Sequence, residues 1–194
     1  MQWQTTTAYD GDRMTITRPT GGTASRAITD VRGKTIELDQ YLGATPTGTP
    51  QATKYGYDRL GRQISMTDPA GNQWTTAYDL RGRATSRTDP DTGTMVSAFD
   101  DAGQLLTSKD SRNTTLSYAY DSLGRKTQQW QGAVTTGTKL ADLTYDTLAK
   151  GQLTSSTRYT SGGAYTTAVT GYDNQYQHPR TRLGPAHRGG GCQR

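Results

Sequence analysis

The sequence predicts an all-β fold, an antiparallel meander of repeated hairpins, and three observations carry that prediction. An aromatic residue followed by Asp, two variable residues, Gly and often Arg returns every 21 residues through the middle of the chain. A second turn signal, such as Asp68-Pro69-Ala70-Gly71, falls half a period later. The composition supplies 36 Thr, 12 Tyr, 3 Trp and 23 Gly with a single Glu, the mix of pleated strands joined by glycine turns. Val, Ile, Leu and Phe occupy only 22 of 194 positions, too few to fill an ordinary core. Disorder is not implied, because aromatic and β-branched residues are plentiful and the net charge is only +5.

The chain opens inside a unit: Gln2-Trp3-Gln4-Thr5-Thr6-Thr7-Ala8-Tyr9-Asp10 parallels Gln73-Trp74-Thr75-Thr76-Ala77-Tyr78-Asp79 and reads as a strand. Turns follow at Tyr9-Asp10-Gly11-Asp12-Arg13 and at Thr29-Asp30-Val31-Arg32-Gly33-Lys34, where Thr replaces the aromatic. Residues 35 to 55, with Thr45-Pro46-Thr47-Gly48-Thr49-Pro50, break the period and read as an enlarged hairpin loop. The regular series is Tyr57-Asp58-Arg59-Leu60-Gly61-Arg62, Tyr78-Asp79-Leu80-Arg81-Gly82-Arg83, Phe99-Asp100-Asp101-Ala102-Gly103-Gln104 and Tyr120-Asp121-Ser122-Leu123-Gly124-Arg125. Residues 131 to 140 read as a second insertion. Looser copies stand at Tyr145-Asp146 through Gly151-Gln152 and at Tyr172-Asp173, which has no Gly.

Turn chemistry builds one repeat. Asp at the first turn position accepts bonds from the amides that follow, and Gly at the fourth adopts positive φ and leads into the next strand through a bulge. Half a period on, Pro69 and Pro90 preset φ after Asp68 and Asp89, while Asn113 tolerates the left-handed region in the turn from Asp110. One repeat is then turn 58–61, strand 62–67, turn 68–71 and strand 72–78. Alternation places Trp74, Thr76 and Tyr78 on one face, with Leu116, Tyr118 and Tyr120 equivalent two repeats later, and Ile64 and Met66 on the face of Arg62.

Charge and composition exclude several function classes. Four arginines of the sequence from His178 to Arg194 account for +4 of the +5, leaving a nearly neutral body without the basic, aromatic-interleaved groove that nucleic acid requires. Residues 177–194 lack Asp and Glu and read as a disordered basic tail. No apolar run is long enough for a membrane span or a secretory h-region, and Met1-Gln2-Trp3-Gln4-Thr5 resembles strand sequence rather than a targeting segment. Cys192 stands alone, so no internal disulfide is possible.

Candidate chemistry is sparse. His178 and His187 both lie in the tail, away from any Ser or Asp of the body, and their spacing with Cys192 matches no structural zinc site. Asp100-Asp101 reads as a turn rather than a glycosidase or calcium pair, because adjacent turn residues point apart. No catalytic residue, cofactor or metal site is assigned. Trp3, Trp74 and Trp130 could stack on sugars, which keeps a cell-surface adhesion or carbohydrate-binding module with glycan partners as the alternative reading. The recurring residues Tyr57, Asp58, Gly61, Arg62, Tyr78, Asp79, Gly82, Arg83, Phe99, Asp100, Gly103, Tyr120, Asp121, Gly124, Arg125, Tyr145, Asp146 and Gly151 are assigned a structural role.

The Tyr-Asp-x-x-Gly-Arg spacing followed by Asp-Pro-x-Gly, best seen at Tyr57 to Arg62, Tyr78 to Arg83 and Tyr120 to Arg125, resembles the tyrosine-aspartate repeats of the Rhs family, shared with C components of insecticidal toxin complexes and with teneurins. The resemblance covers roughly residues 1–176. It implies a β-sheet strip wound into a hollow shell, of which this chain would be a non-enzymatic segment. The implied partners are neighbouring repeats and an enclosed C-terminal toxin, in bacterial competition or delivery, at a secreted or cell-surface location. The self-cleaving aspartate site of many family members has no counterpart in this sequence.

Overall fold

A computed structural model of the chain describes residues 4–173 and the backbone of residues 182–185. The described residues form strands and turns, with no helix, and the strands hydrogen-bond in chain order as an antiparallel meander. Two compact units divide the chain, residues 1–95 and 96–194.

The first unit holds β1 (Thr6–Asp10), β2 (Arg13–Thr17), β3 (Ser25–Thr29), β4 (Thr35–Gln40), β5 (Gln51–Tyr57), β6 (Gln63–Thr67), β7 (Gln73–Tyr78) and β8 (Ala84–Asp89). The unit boundary falls within β9 (Gly93–Phe99). The second unit holds β10 (Leu105–Lys109), β11 (Thr115–Tyr120), β12 (Lys126–Gln131), β13 (Thr138–Tyr145), β14 (Leu153–Thr160), β15 (Gly163–Ala168) and β16 (Arg182–Pro185).

Both kinds of turn close by one scheme. At Asp58 the carboxylate Oδ1 accepts the amides of Leu60 and Arg62, the Asp58 carbonyl accepts Gly61 N–H, and Arg62 carbonyl accepts Asp58 N–H. Asp68 repeats this with the amides of Ala70 and Asn72 and with Gly71. The fourth residue of the loop is left-handed, with φ +77° at Gly61 and +64° at Asn113, as the turn chemistry requires. The turn therefore extends through Arg62, and β6 begins at Gln63 rather than at Arg62.

The turns at Asp58, Asp79, Asp121 and Asp146 lead into a bulge, whereas those at Asp68 and Asp110 do not. Gly56 pairs with Ser65 and Tyr57 with Gln63, so Ile64 is the extra residue. Thr85, Thr127 and Thr154 occupy the same place in β8, β12 and β14. The bulge interrupts simple alternation beside the turn, so a common face for Arg62, Ile64 and Met66 does not follow from counting. Further along β6, Met66 does pair with Trp74.

The two interruptions of the period are smaller than the sequence suggests. Residues 35–40 and 51–55 are strand, paired from Glu37↔Lys54 to Gln40↔Gln51, so the loop is confined to residues 41–50. The second loop is residues 132–137, because Trp130 pairs with Lys139 and Gln131 with Thr138. Buried residues occur only there among the described residues: Ala24, Asp39 and Tyr41 at the first loop, Ser117 and Trp130 at the second.

The tail expected to be disordered contributes one strand. Residues Arg182–Pro185 of β16 pair antiparallel with Tyr165–Ala168 of β15, which four consecutive residues of extended backbone suffice to do. The remaining tail residues, with His178, His187 and Cys192, lie outside the described residues.

Candidate functional site

The recurring residues meet at the turn edge of the sheet, where one repeat is joined to the next. Arg62 shows the joint. Its Nε donates to Asp58 Oδ2 of its own turn at 2.6 Å, and its Nη1 donates to the Asp79 carbonyl of the following turn at 3.2 Å. Its guanidinium carbon stands 4.6 Å from the Tyr78 ring centroid, a cation–π stack. Tyr78 completes the joint by donating its hydroxyl to the Gln63 carbonyl at the entry to β6.

The tyrosine half recurs in chain order. Tyr57 donates to the Thr35 carbonyl at 2.9 Å, Tyr120 to Leu105 at 3.0 Å, Tyr145 to Lys126 at 3.1 Å and Tyr172 to Leu153 at 2.5 Å. A bulge leaves a carbonyl turned out of the ladder, and a phenol on the adjacent hairpin can reach it. Phe99 has no hydroxyl to donate, which makes its repeat chemically different. Tyr172 behaves as a repeat tyrosine although its sequence motif lacks the Gly.

The arginine half varies with sequence. Arg83 bonds Asp79 Oδ2 at 2.6 Å within its turn. Arg125 bonds Asp121 Oδ2 at 2.7 Å, stacks 4.4 Å from the Tyr145 centroid and reaches both carboxylate oxygens of Asp146. Asp146 itself is left-handed, φ +66°, in the lengthened turn that ends near Gly151. At Gly124 the side-chain amide of Gln104 crowds the position where a Cβ would stand, at 3.0 Å, while at Gly82 the Arg62 guanidinium stands at an ordinary 3.4 Å. Asp100 accepts the Gln104 amide at 2.8 Å within the turn closed by Gly103, and Asp101 is an exposed tip residue.

The carboxylates of Asp79, Asp110, Asp121 and Asp146 are held ionised. The Arg83 amide lowers the pKa of Asp79, the Arg125 amide that of Asp121 and the Thr114 amide that of Asp110. The Arg125 guanidinium, followed by the Gly151 amide, holds Asp146 at about 2. Hydrogen bonds that favour the charged form explain the common direction.

The two described tryptophans are each engaged by residues of their own or the adjacent strand. Trp130 is buried, 8% exposed, with Nε1 donating to Gln128 and the Lys139 ammonium 4.9 Å above its ring. Its expected exposed stacking face is therefore covered by its own hairpin partner. Trp74 is half-buried and donates Nε1 to Asp89, and Trp3 lies outside the described residues.

Two clusters went unnoticed in the sequence. Asp39, 0% exposed, accepts Arg26 Nε at 2.9 Å and Nη2 at 2.6 Å beside the buried Tyr41. Asp142 accepts the Tyr159 hydroxyl at 2.6 Å and pairs with Lys139. Arg26 and Asp39 are direct cross-strand partners in the hairpin around Gly33, but the bulge at Ile36 shifts the register by one, so counting back from that turn pairs Arg26 with Leu38 instead.

Comparison with known proteins agrees with this geometry. Residues 45–73, 57–94 and 99–129 match the RHS repeat model. The structure resembles a crystal structure of TcdB2-TccC3 without its hypervariable C-terminal region, at TM-score 0.70 and 16% identity over 91% of this chain and 10% of that one. A second TcdB2-TccC3 crystal structure gives TM-score 0.66 and 16% identity over 93% and 12%. The Tc holotoxin pore of Photorhabdus luminescens, with a TccC3 point mutation, gives 0.64 and 15% over 92% and 12%. The chain thus spans about a tenth of the length of these structures, and at such identity the likeness is one of fold. Among curated proteins none matches.

Proposed function

We propose that this chain, which carries RHS repeats, is a wall segment of a hollow shell and acts by containment rather than by catalysis. The observation that carries the reading is the joint itself. The same tyrosine-to-carbonyl bond links neighbouring hairpins at Tyr57 and Tyr78 in the first unit and at Tyr120, Tyr145 and Tyr172 in the second, and its polar groups are spent on neighbouring repeats. A surface assembled this way is a continuous barrier, every unit of which needs the next.

On this reading the partners are further repeats of a longer strip and a polypeptide held behind it, a toxin effector in competition or delivery. The fold likeness to TcdB2-TccC3 supports the shell, and secretion or cell-surface display would follow from such a role. A glycan-binding module is the weaker alternative, since Trp130 is covered and Trp74 is engaged by Asp89.

The test is to read the coding sequence on both sides and express the full product. Further Tyr-Asp repeats, and a C-terminal segment that resists protease until the repeats are broken by Gly61→Val, are expected. Flanks without repeats, or a C-terminal segment digested equally in both proteins, would overturn the proposal.

A further inference from the structure

The two loop edges of the first unit differ in charge and in what their tips expose. Hairpin connections alternate between them, so the turns at residues 30–34, 58–62 and 79–83 share one edge, while those at residues 68–72 and 89–93 share the other. On the first edge Val31 and Leu80 are fully exposed and Leu60 is 75% exposed. Three consecutive turns thus each hold one aliphatic tip in water. The same three turns carry six Arg and Lys against three Asp, and with residues 10–13 the edge sums to a formal charge of +2. The opposite edge, residues 18–24, 41–50, 68–72 and 89–93, holds three Asp and one Arg, a formal charge of −2. Its regular turns present the exposed Pro69 and Pro90.

A carboxylate that accepts amide hydrogen bonds keeps its charge, so the difference between the edges survives the bonding within each turn. Two strands separate successive turns on either edge, which sets their spacing along both at about 10 Å, twice the distance between neighbouring strands. One edge of the unit therefore matches the other in spacing and opposes it in sign.

We propose that the leucine edge of one copy of this chain docks on the proline edge of a second copy, with Leu60 and Leu80 seated against Pro69 and Pro90 and the basic tips facing Asp68, Asp89 and Asp91. Leucine against proline removes aliphatic surface from water while every backbone group keeps its partner. Opposite charge selects which edges meet, since two like edges repel. The contact is heterologous: each added copy leaves one edge of either kind free, and growth does not stop at a dimer. Only the two edges take part, so the pairing holds whether or not the sheet encloses a polypeptide.

Sedimentation of the full chain over a range of concentrations tests the pairing. At low ionic strength the average mass should rise with concentration past that of a dimer, and added salt should weaken the association. Leu60→Ser together with Leu80→Ser alters one edge and should weaken association roughly tenfold, as loss of two partly buried aliphatic side chains does. Asp91→Lys alters the other edge and should act in the same direction. Both variants should retain the wild-type circular dichroism, since all three positions are exposed. Mixed together, the variants still offer one intact edge of each kind and should form a dimer of one copy of each that grows no further. A wild-type chain that stays monomeric, association indifferent to salt, association kept in full by either folded variant, as pairing through the open side of β1 would give, or a mixture without the mixed dimer would overturn the proposal.

Discussion

Gly61 illustrates what a single residue contributes. A Cβ built there would approach only the Lys34 Cε, at an ordinary 3.4 Å, so space is not the obstacle; the φ of +77° is. Gly61→Val should lower stability by about 2 kcal/mol or more, because an L-residue costs roughly 1–2 kcal/mol in that region and β-branching adds to it. Urea denaturation of the folded variant measures the difference. Asp146 gives a prediction in pH. Its carboxyl is held at about 2 when folded, below the ordinary aspartate value of about 3.9, so the unfolded chain takes up the proton first. The stabilisation is present in full above pH 4 and is lost as pH falls towards 2. Asp79, Asp110 and Asp121 act in the same direction, so the urea midpoint of the wild type should drop on acidification. Asp146→Asn, which tolerates the left-handed backbone, should show a smaller drop over the same range.

Hairpins were the most legible level. The Asp and Gly positions fix each turn by local chemistry, and β6 and β7 fall within a residue of their expected starts. Trp130 and the Arg26–Asp39 pair were hidden because they depend on which residues a loop folds back to cover, and composition carries no trace of that. The loops were over-read for a related reason: residues 35–40, Thr35-Ile36-Glu37-Leu38-Asp39-Gln40, lack a repeat signature yet pair regularly with β5. Cross-strand pairing, rather than the motif, makes them a strand. Arg26→Met tests the energetic weight of the loop root. It would leave the fully buried Asp39 carboxylate without its cation, a loss of about 3–5 kcal/mol, as when one partner of a buried pair is removed. The double variant with Asp39→Leu should recover most of that in a denaturant series.

Across the molecule, hydrogen bonding takes over the part that burial plays in most domains. Backbone ladders, Asp-capped turns and tyrosine-to-carbonyl joints recur along both units, while only five of the described residues are buried. The period of 21 residues announced this arrangement before any coordinates, since a motif so evenly spaced leaves each unit only its neighbours to lean on.

That scarcity of shielded hydrocarbon has a calorimetric consequence. Heat capacity rises on denaturation chiefly because apolar groups become hydrated, by about 12–15 cal/mol/K per residue in common domains. This chain should fall clearly below that range. Its stability curve would then be broad and shallow, with little weakening in the cold, and differential scanning calorimetry over several pH values would reveal it as a nearly constant enthalpy across melting temperatures.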